Sequence, residues 1–600
     1  MARVIRIGNA SGYWGDDPEA LARQVLGGDL DYVTLDFLAE ITMVILQRQR
    51  ARDASLGYAY DFVRMLEPVL GEAARRGVRI VANAGGINVG ACADRVADLC
   101  QAQGLDIGLG VVGGDDLLPR LGEILASGVP LTNMDDGRPL RDVRDEVVSA
   151  NAYLGAWPLA AALAAGAHVV VTGRTTDAAL TLGPLVHEHG WAWDDFGRLA
   201  AGTVAGHVLE CGAQATGGNL TDWRSVPMSN VGYPIAEVSA DGTFVVTKHV
   251  GTGGRVSRAS VTEQLLYEIG DPAAYLTPDA TVDFRSLDVT ALGPDRVQVS
   301  GARGTPPPDS LKVTVVYRDG WRAVGLALLS GPDVRAKAER LAEMVWERTG
   351  HEFLDRRADL VGDRACWGSG APDVEPNEGI LRLAVRDPDR AAVERFSKMM
   401  MGLALQGPPG LGVFGGRPDA QPAYGYWPTL VPRDLVQPHV EIRRPGKEPV
   451  AVDARPPIVP TAAPGGSAAP ASGAPRWGAN DRLERVPLRR LAYARSGDKG
   501  AHANVGVAAR SPLAFDALRA VLPAERVAAF FGDRVRGTVR RHELPGLRAF
   551  NFTLGDALGG GGTLSLRADH QGKTLAQGLL GLEIDVPAAV VAATPAEGEG

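Results

Sequence analysis

Over the first 200 residues, short apolar runs rich in β-branched side chains alternate with longer stretches whose apolar positions recur at helical spacing. The strand-like runs cover residues 4–8, 31–37, 79–85, 106–112 and 168–173. Helix-length amphipathic stretches lie between them, for example at 18–26 and 91–103. Strands separated by helices indicate βαβ units, so this pattern predicts an α/β fold with a parallel sheet.

The pattern changes in the middle of the chain. Strand-like runs cluster at 281–301 and 311–329, and a further run covers 380–385. Helical spacing returns near 332–349 and 390–405. This order predicts an α+β second lobe with an antiparallel sheet, so we divide the main body into residues 1–275 and 276–455.

A third unit follows a segment without any charged or large residue. Residues 461–475 are all Ala, Gly, Pro, Ser or Thr, which predicts a flexible linker; we set its limits at 456–482. Beyond it, residues 483–590 contain strand-like runs near 489–494, 503–509, 535–541 and 547–553, and a helix at 513–529. We expect a small ferredoxin-like α+β domain.

Composition narrows the class of protein. Of the 600 residues, 45% are hydrophobic and 22% are charged, as in a soluble globular chain, and the net charge of −9 argues against nucleic acid as a partner. Without a spanning apolar run or a signal-like N-terminus, we expect a cytoplasmic protein with no membrane partner. Four Cys and no spaced Cys or His motif predict neither a disulfide framework nor a metal site.

Polar loops follow all five predicted parallel strands. In such sheets, ligands bind outside the carboxyl ends of the strands, so we expect these loops to face one cleft. The alternative is that the loops only supply turns and helix caps. The candidate residues are Asn9, Glu40, Asn83, Gly85, Gly86, Asp115, Arg174, Thr175 and Asp177.

Three of these residues carry specific hypotheses. Gly85 and Gly86 precede a helix and are candidates for a phosphate cradle; a tight strand-to-helix turn is the alternative. Arg174 is suited to gripping a phosphate or carboxylate, unless Asp177 simply holds it as an ion pair.

Two Gly-rich segments further along supply more candidates. In residues 207–223, Glu210 beside Cys211 suggests a base next to a nucleophile, or a lone acid/base, whereas a buried structural Cys is the commoner outcome. In residues 247–257, Lys248 precedes a Gly-rich turn that can bind an anion or simply close a hairpin. The accompanying candidates are Gln214, Gly217, Gly218, Gly253 and Gly254.

The third unit has its own polar cluster, LAYARSGDKGAHANVGV at 491–507. We predict that it contributes Ser496, Asp498, Lys499 and Asn504 to an interface or to the main site. The alternative is a type I turn with an Asx cap in solvent.

Several of these segments occur together, and in this order, in one known family. GNASGYWGDD, DYVTLDFLAEITM, ANAGGINV, GRTTDAAL, HVLECGAQATGG and HVGTGG resemble the AtuA family of acyclic terpene utilisation proteins over roughly residues 3–450. The segment LAYARSGDKGAHANVGV resembles the AtuA-like ferredoxin-fold module. The resemblance implies a bacterial protein in the breakdown of citronellol- and geraniol-type chains through CoA thioesters. It implies no firm cofactor and transfers no catalytic residue.

The leading hypothesis is therefore a catabolic lyase or hydrolase that acts on a branched acyl-CoA or similar carboxylic substrate by hydration, hydrolysis or C–C cleavage. We also expect a homo-oligomer. The catalytic candidates are Glu40, Glu210, Cys211 and Lys248. A non-catalytic binding or assembly subunit is the first alternative. A phosphate- or nucleotide-binding enzyme is the second, and the absence of a Walker motif counts against it.

Overall fold

The computed structural model describes residues 3–462, 477 and 482–596. The strands are β1 Ile5–Asn9, β2 Tyr32–Leu35, β3 Arg79–Ala82, β4 Gly108–Gly113, β5 Val147–Ala152, β6 Ala167–Thr172, β7 Ile235–Val238, β8 Phe244–Thr247, β9 Tyr275–Leu276, β10 Thr281–Asp283, β11 Asp288–Gly293, β12 Arg296–Ser300, β13 Arg303–Thr305, β14 Ser310–Ser330, β15 Asp355–Val361, β16 Glu378–Asp387, β17 Leu411–Val413, β18 Gln421–Pro432, β19 His439–Arg443, β20 Val450–Val452, β21 Leu483–Pro487, β22 Ala492–Lys499, β23 His502–Ala509, β24 Val539–Leu544, β25 Ala549–Leu554 and β26 Glu583–Pro587.

The α-helices are α1 Ala20–Gly27, α2 Glu40–Arg52, α3 Asp61–Leu66, α4 Leu70–Arg76, α5 Val89–Ala102, α6 Leu121–Ala126, α7 Trp157–Ala164, α8 Ala179–His189, α9 Phe196–Leu209, α10 Arg258–Leu265, α11 Val334–Thr349, α12 Arg390–Gly402, α13 Pro512–Val521, α14 Ala524–Phe531, α15 Gly561–Leu564, α16 Leu575–Leu579 and α17 Ala588–Ala593.

The largest sheet has the strand order β11-β12-β8-β7-β1-β2-β3-β6-β4-β19-β20. Its five central strands are parallel, as the sequence pattern predicts. Antiparallel strands extend it at both edges. Residues 288–300 and 439–452, which we assigned to the second lobe, therefore belong to this sheet, and the body does not separate cleanly at residue 275.

Both faces of the parallel strands are buried. Ile80 and Val169 pack on one face with α1, α2 and α5, whereas Val81 and Val170 pack on the other with α7, α8 and α9. Successive strand residues point to opposite faces, so a strand covered by helices on both sides is apolar throughout. This is why the five predicted strands are nearly continuous apolar runs.

A second sheet is built around β14. The first part of this strand pairs with β5 and β18, and its last part pairs with β16 and β17. The register shifts between Arg318 and Trp321, where the strand passes from one set of partners to the other. Helices α11 and α12 cover the far half, as expected for an α+β lobe. Because β5 comes from the N-terminal part of the chain, the two sheets form one interlocked body.

The C-terminal domain has an antiparallel sheet with the order β22-β23-β25-β24 and its own apolar core. The predicted single helix at 513–529 is wrong: it is two helices, α13 and α14, because Pro523 has no N–H to continue the first one. The strand predicted to end at 494 continues to Lys499, so a turn at Ser496 is also wrong. Of the linker predicted at 456–482, residues 463–476 and 478–481 lie outside the described residues.

Candidate functional site

The carboxyl ends of the parallel strands meet around Arg174, which follows β6. Its guanidinium donates to the backbone oxygen of Leu38 (2.6 Å) and to Asp177 (3.1 Å), and its backbone N–H donates to Asp115 (2.9 Å). The Asn83 amide, after β3, donates to Asp36 after β2 (2.6 Å). Asn83 and Arg174 thus lie at the same edge of the sheet.

Glu40, the first residue of α2, is the centre of a hydrogen-bonded cluster. Tyr153 donates to its carboxylate (2.9 Å), and Lys312 of β14 and Tyr426 of β18 lie 3.5 Å from the same oxygen. The Arg174 guanidinium lies 4.1 Å from the centre of the Tyr153 ring. Burial raises the pKa of Glu40, but Lys312 and Arg174 outweigh it and hold the pKa at about 2.

The pKa of Asp177 is shifted in the opposite direction from that of Glu40. Burial raises the pKa of Asp177 to about 7, since the attraction of Arg174 is offset by the nearby carboxylates of Glu210, Glu40 and Glu268. Burial and then the charge of Asp177 likewise raise the pKa of the neighbouring Asp36 well above its usual value. Glu40 and Asp177 each keep about a third of their side chain exposed (32% and 35%), so both face solvent within a cleft. We call this the central cleft and define it by Glu40, Arg174, Asp177, Glu210 and Lys499.

Glu210 and Cys211 enter the cleft from the end of α9. Glu210 lies 2.9 Å from Nδ1 of His207, one helical turn before it, and its second oxygen is buried with no hydrogen-bond partner among the described residues. Burial, reinforced by Glu210, raises the pKa of the Cys211 thiol well above its usual value. A thiol held in its protonated form is a poor nucleophile, which disfavours the Cys211 hypothesis.

The C-terminal domain covers the cleft and adds charged groups to it. Lys573 donates to Glu268 (2.6 Å), to Asp498 (3.1 Å) and to the Tyr267 hydroxyl. Burial, together with Glu268, raises the pKa of Asp498 to about 6. Strand β22 reaches this position because Gly497 lies against Tyr267 and Glu268, where a Cβ would be 2.7 Å from the nearest Glu268 carbon.

Lys499, the last residue of β22, extends into the same cleft. Its ammonium lies 5.7 Å from the centre of the Tyr275 ring, and no carboxylate of the described residues forms an ion pair with it. Burial lowers the pKa of Lys499, and the like charge of Lys312 lowers it further. The carboxylates of Glu268, Glu40 and Glu210 raise it but do not outweigh these two effects.

Other candidate residues have structural partners. The N–H groups of Gly85 and Gly86 donate to Thr172 and Asn83, and those of Gly253 and Gly254 donate to Asn230 and Pro227. These four groups are therefore not free to bind an anion. Lys248 lies 3.0 Å from Asp295 and donates to Thr252, away from the cleft residues.

The remaining candidates also mainly hold the fold. Asn9 bonds back to Ser11, Thr175 donates to Leu154, and Ser496 donates to Gly572. Asn504 links the domains by donating to Leu266 and accepting from the N–H of Glu268. Gly217 and Gly218 shape the turn after the 3₁₀ helix Gly212–Thr216, in which the buried Gln214 oxygen has no partner among the described residues.

Five residues that bond to the groups of the central cleft or lie beside it were not among the candidates from the sequence: Tyr153, Glu268, Lys312, Tyr426 and Lys573. One available signal was the rarity of Lys: the chain has seven among its 62 basic residues. Three of them, Lys312, Lys499 and Lys573, lie at the cleft. The Lys ammonium is a compact point charge with three rotatable donors, unlike the planar Arg fork, so Lys in an Arg-rich chain marks a place where that difference matters.

The fold and the cleft define a two-part class of protein: an α/β body whose charged strand-end cleft is completed by a ferredoxin-like domain. The chain belongs to the AtuA family, since the model of the acyclic terpene utilisation family protein AtuA matches residues 5–442. The AtuA ferredoxin-like domain matches residues 486–585. This membership associates the protein with acyclic terpene catabolism. The comparisons with curated proteins and with solved structures gave no match.

In the described part of the chain, no helix combines the length and the apolar character needed to cross a bilayer. Within the same residues, no group of three or more His, Cys, Asp or Glu side chains is arranged to hold a metal ion.

Proposed function

We propose that this protein is an enzyme of acyclic terpene breakdown that acts on an acyl substrate by proton transfer in the central cleft. The carrying observation is the contrast between two carboxyl groups beside one guanidinium: the pKa of Glu40 is held at about 2 and that of Asp177 is raised to about 7. Environments that push two titratable groups apart in this way are typical of acid/base pairs.

The contrast also assigns roles. A group with a pKa near 7 transfers protons best at neutral pH, so Asp177 is the proton donor and acceptor in this proposal. Glu40 stays ionised and orients Tyr153 and Lys312, rather than moving the proton itself. Lys312 and Lys499 supply positive charge for the oxygen on which negative charge develops during hydration, hydrolysis or C–C cleavage.

The test is to incubate the full chain with geranyl-CoA, citronellyl-CoA and the corresponding free acids, and to follow the products by mass spectrometry. Gain of water, loss of CoA and loss of a carbon fragment distinguish the three reactions. We expect Asp177→Asn to lower kcat/KM by about 10²–10⁴-fold and to remove a limb of the pH profile near pH 7.

Asp53→Asn is the matched control. Asp53 is exposed, bonds to Ser55 and lies at the other end of α2 from Glu40. Its variant should keep the activity of the unmodified chain. Turnover that is unchanged in Asp177→Asn would contradict the assignment. Binding of the thioesters in ligand-observed NMR without turnover at any pH would instead support the non-catalytic subunit.

A further inference from the structure

A second cavity, of about 380 Å³, lies next to the central cleft. One wall is apolar and comes from Ile41, Val44 and Ile45 of α2, the helix that begins at Glu40. Arg48, Arg322, His570 and Asp419 are its charged or titratable lining residues. We call it the arginine cavity; its volume is within the range of small-molecule sites.

The positive charge of this cavity is only partly compensated, by Asp419, which also lines it. Among the described residues, no carboxylate lies within ion-pair distance of Arg48 or Arg322. Arg322 donates to the backbone oxygen of Thr563 (3.0 Å), and Arg48 donates to that of Pro422. Burial, and then the like charges of Arg382, Arg48 and Arg386, lowers the pKa of Arg322. Two guanidinium groups against the one carboxylate of Asp419 leave the lining with a net positive charge, which favours an anionic ligand.

Two polar atoms at the cavity support the same conclusion. Thr563 lines it, is more than nine-tenths buried, and its hydroxyl has no hydrogen-bond partner among the described residues. The Nε atom of Arg48 is likewise buried without a partner there. Buried donors without partners are costly, so they indicate a missing acceptor.

The cavity is connected to the cleft through the Gly-rich loop before Thr563. Gly561 has a positive φ of 79°, and a Cβ on it would lie 3.0 Å from the backbone oxygen of Gly500, the residue after Lys499. Gly562, the next residue, lines the arginine cavity. A ligand bound in the cavity therefore lies beside the residues that bring Lys499 to the cleft.

We propose that the arginine cavity binds the phosphate group of a phosphate ester whose reactive end lies in the central cleft. Arg48 and Arg322 hold the phosphate oxygens, the Thr563 hydroxyl donates a further hydrogen bond, and the α2 wall contacts the apolar part of the ligand. Phosphate binding itself is independent of the proposed function, and only the position of the reactive end rests on it.

The test measures binding to the full chain by isothermal titration calorimetry with inorganic pyrophosphate, adenosine 3′,5′-bisphosphate and CoA. Arg322→Gln should weaken the binding of these anions about 10–100-fold, because one charge-assisted contact is lost. Arg340→Gln is the control with the same change of charge, on an exposed residue paired with Glu343. Tighter binding of CoA than of pyrophosphate would support a phosphate ester as the ligand. The reverse order would indicate a site for free polyphosphate and would contradict the phosphate ester.

A second measurement covers the case in which Arg322→Gln fails to fold. Phenylglyoxal modification of Arg48 and Arg322 in the unmodified chain, mapped by mass spectrometry, should slow at least several-fold when pyrophosphate is present. Absence of binding by all three anions, or binding that neither Arg322→Gln nor phenylglyoxal affects, would overturn the proposal. Asp177→Asn should bind the anions normally, which separates this outcome from failure of the proposed function.

Discussion

At the scale of single residues, Asp177 makes stability depend on pH. Its pKa is about 7 in the folded chain and near 3.8 in an unfolded one, so between these values the folded state binds more protons. The free energy of unfolding therefore decreases as the pH rises through this window. Asp177→Asn removes the contribution of this carboxyl group, and the gain in Tm should be small near pH 4, grow up to pH 7 and then level off.

Asp53→Asn is again the comparison. The side chain and backbone N–H of Ser55 lower the pKa of Asp53. The Asp53 carboxylate therefore stabilises the folded state above pH 3.8, the opposite of the effect of Asp177. Thermal unfolding by circular dichroism at several pH values measures both variants. A gain for Asp177→Asn that is equally large at pH 4 and pH 8 would show that Asp177 does not titrate near neutrality.

At the scale of elements, the docking of the C-terminal sheet depends on a glycine in its central strand β23. A Cβ on Gly506 would lie 2.5 Å from the Cβ of Leu266, just after α10. Both atoms are close to their backbones, so relief requires β23 and α10 to move apart. We expect Gly506→Ala to cost about 1–3 kcal/mol, measured by urea unfolding.

Gly90→Ala serves as its control. Gly90 lies in the first turn of α5, and a Cβ there would have no atom within 4 Å. Because Ala favours helix over Gly by up to about 1 kcal/mol, this variant should be as stable as the unmodified chain or more stable. If both substitutions changed the urea midpoint alike, the close approach of β23 to Leu266 would not limit domain docking.

At the scale of the whole molecule, the cleft needs both domains. Arg510 forms two 2.6 Å hydrogen bonds to Asp222 across the interface, and both side chains are buried. Asn551 donates to the backbone of Ile269 and Gly270. We expect fragments 1–460 and 480–600 to bind each other, and turnover of the substrate to require the mixture, since the first fragment lacks Lys499 and Lys573.

The Arg510 contact provides the interface variant. Arg510→Ala should weaken fragment association by about 2–5 kcal/mol, because a buried charge pair is broken, whereas Arg485→Ala, on an exposed residue of β21, should leave it unchanged. Calorimetry of the mixed fragments measures both. Full activity of fragment 1–460 alone, without binding of the second fragment, would show that the C-terminal domain is not part of the site.

The sequence by itself determined the central elements of this protein. The parallel strands, α1, α5, α11 and α12 are where the pattern predicts them, because a strand or helix covered by a core must repeat its apolar residues at its own period. The same pattern placed polar residues such as Arg174 and Asp177 at strand ends, which topology brings to one edge. The pattern did not predict the antiparallel edge strands, since short amphipathic runs do not specify their partners. It also did not predict the break in the helix at Pro523.

Only the tertiary structure decided which groups surround those residues. The partners of Glu40 come from 113, 272 and 386 residues further along the chain, and no local pattern links positions so far apart. The pKa values of Glu40 and Asp177 differ because burial and neighbouring charges differ, although both carboxyl groups lie beside Arg174. Burial and charge are properties of the folded chain, so they select the acid/base group among candidates that the sequence leaves equivalent.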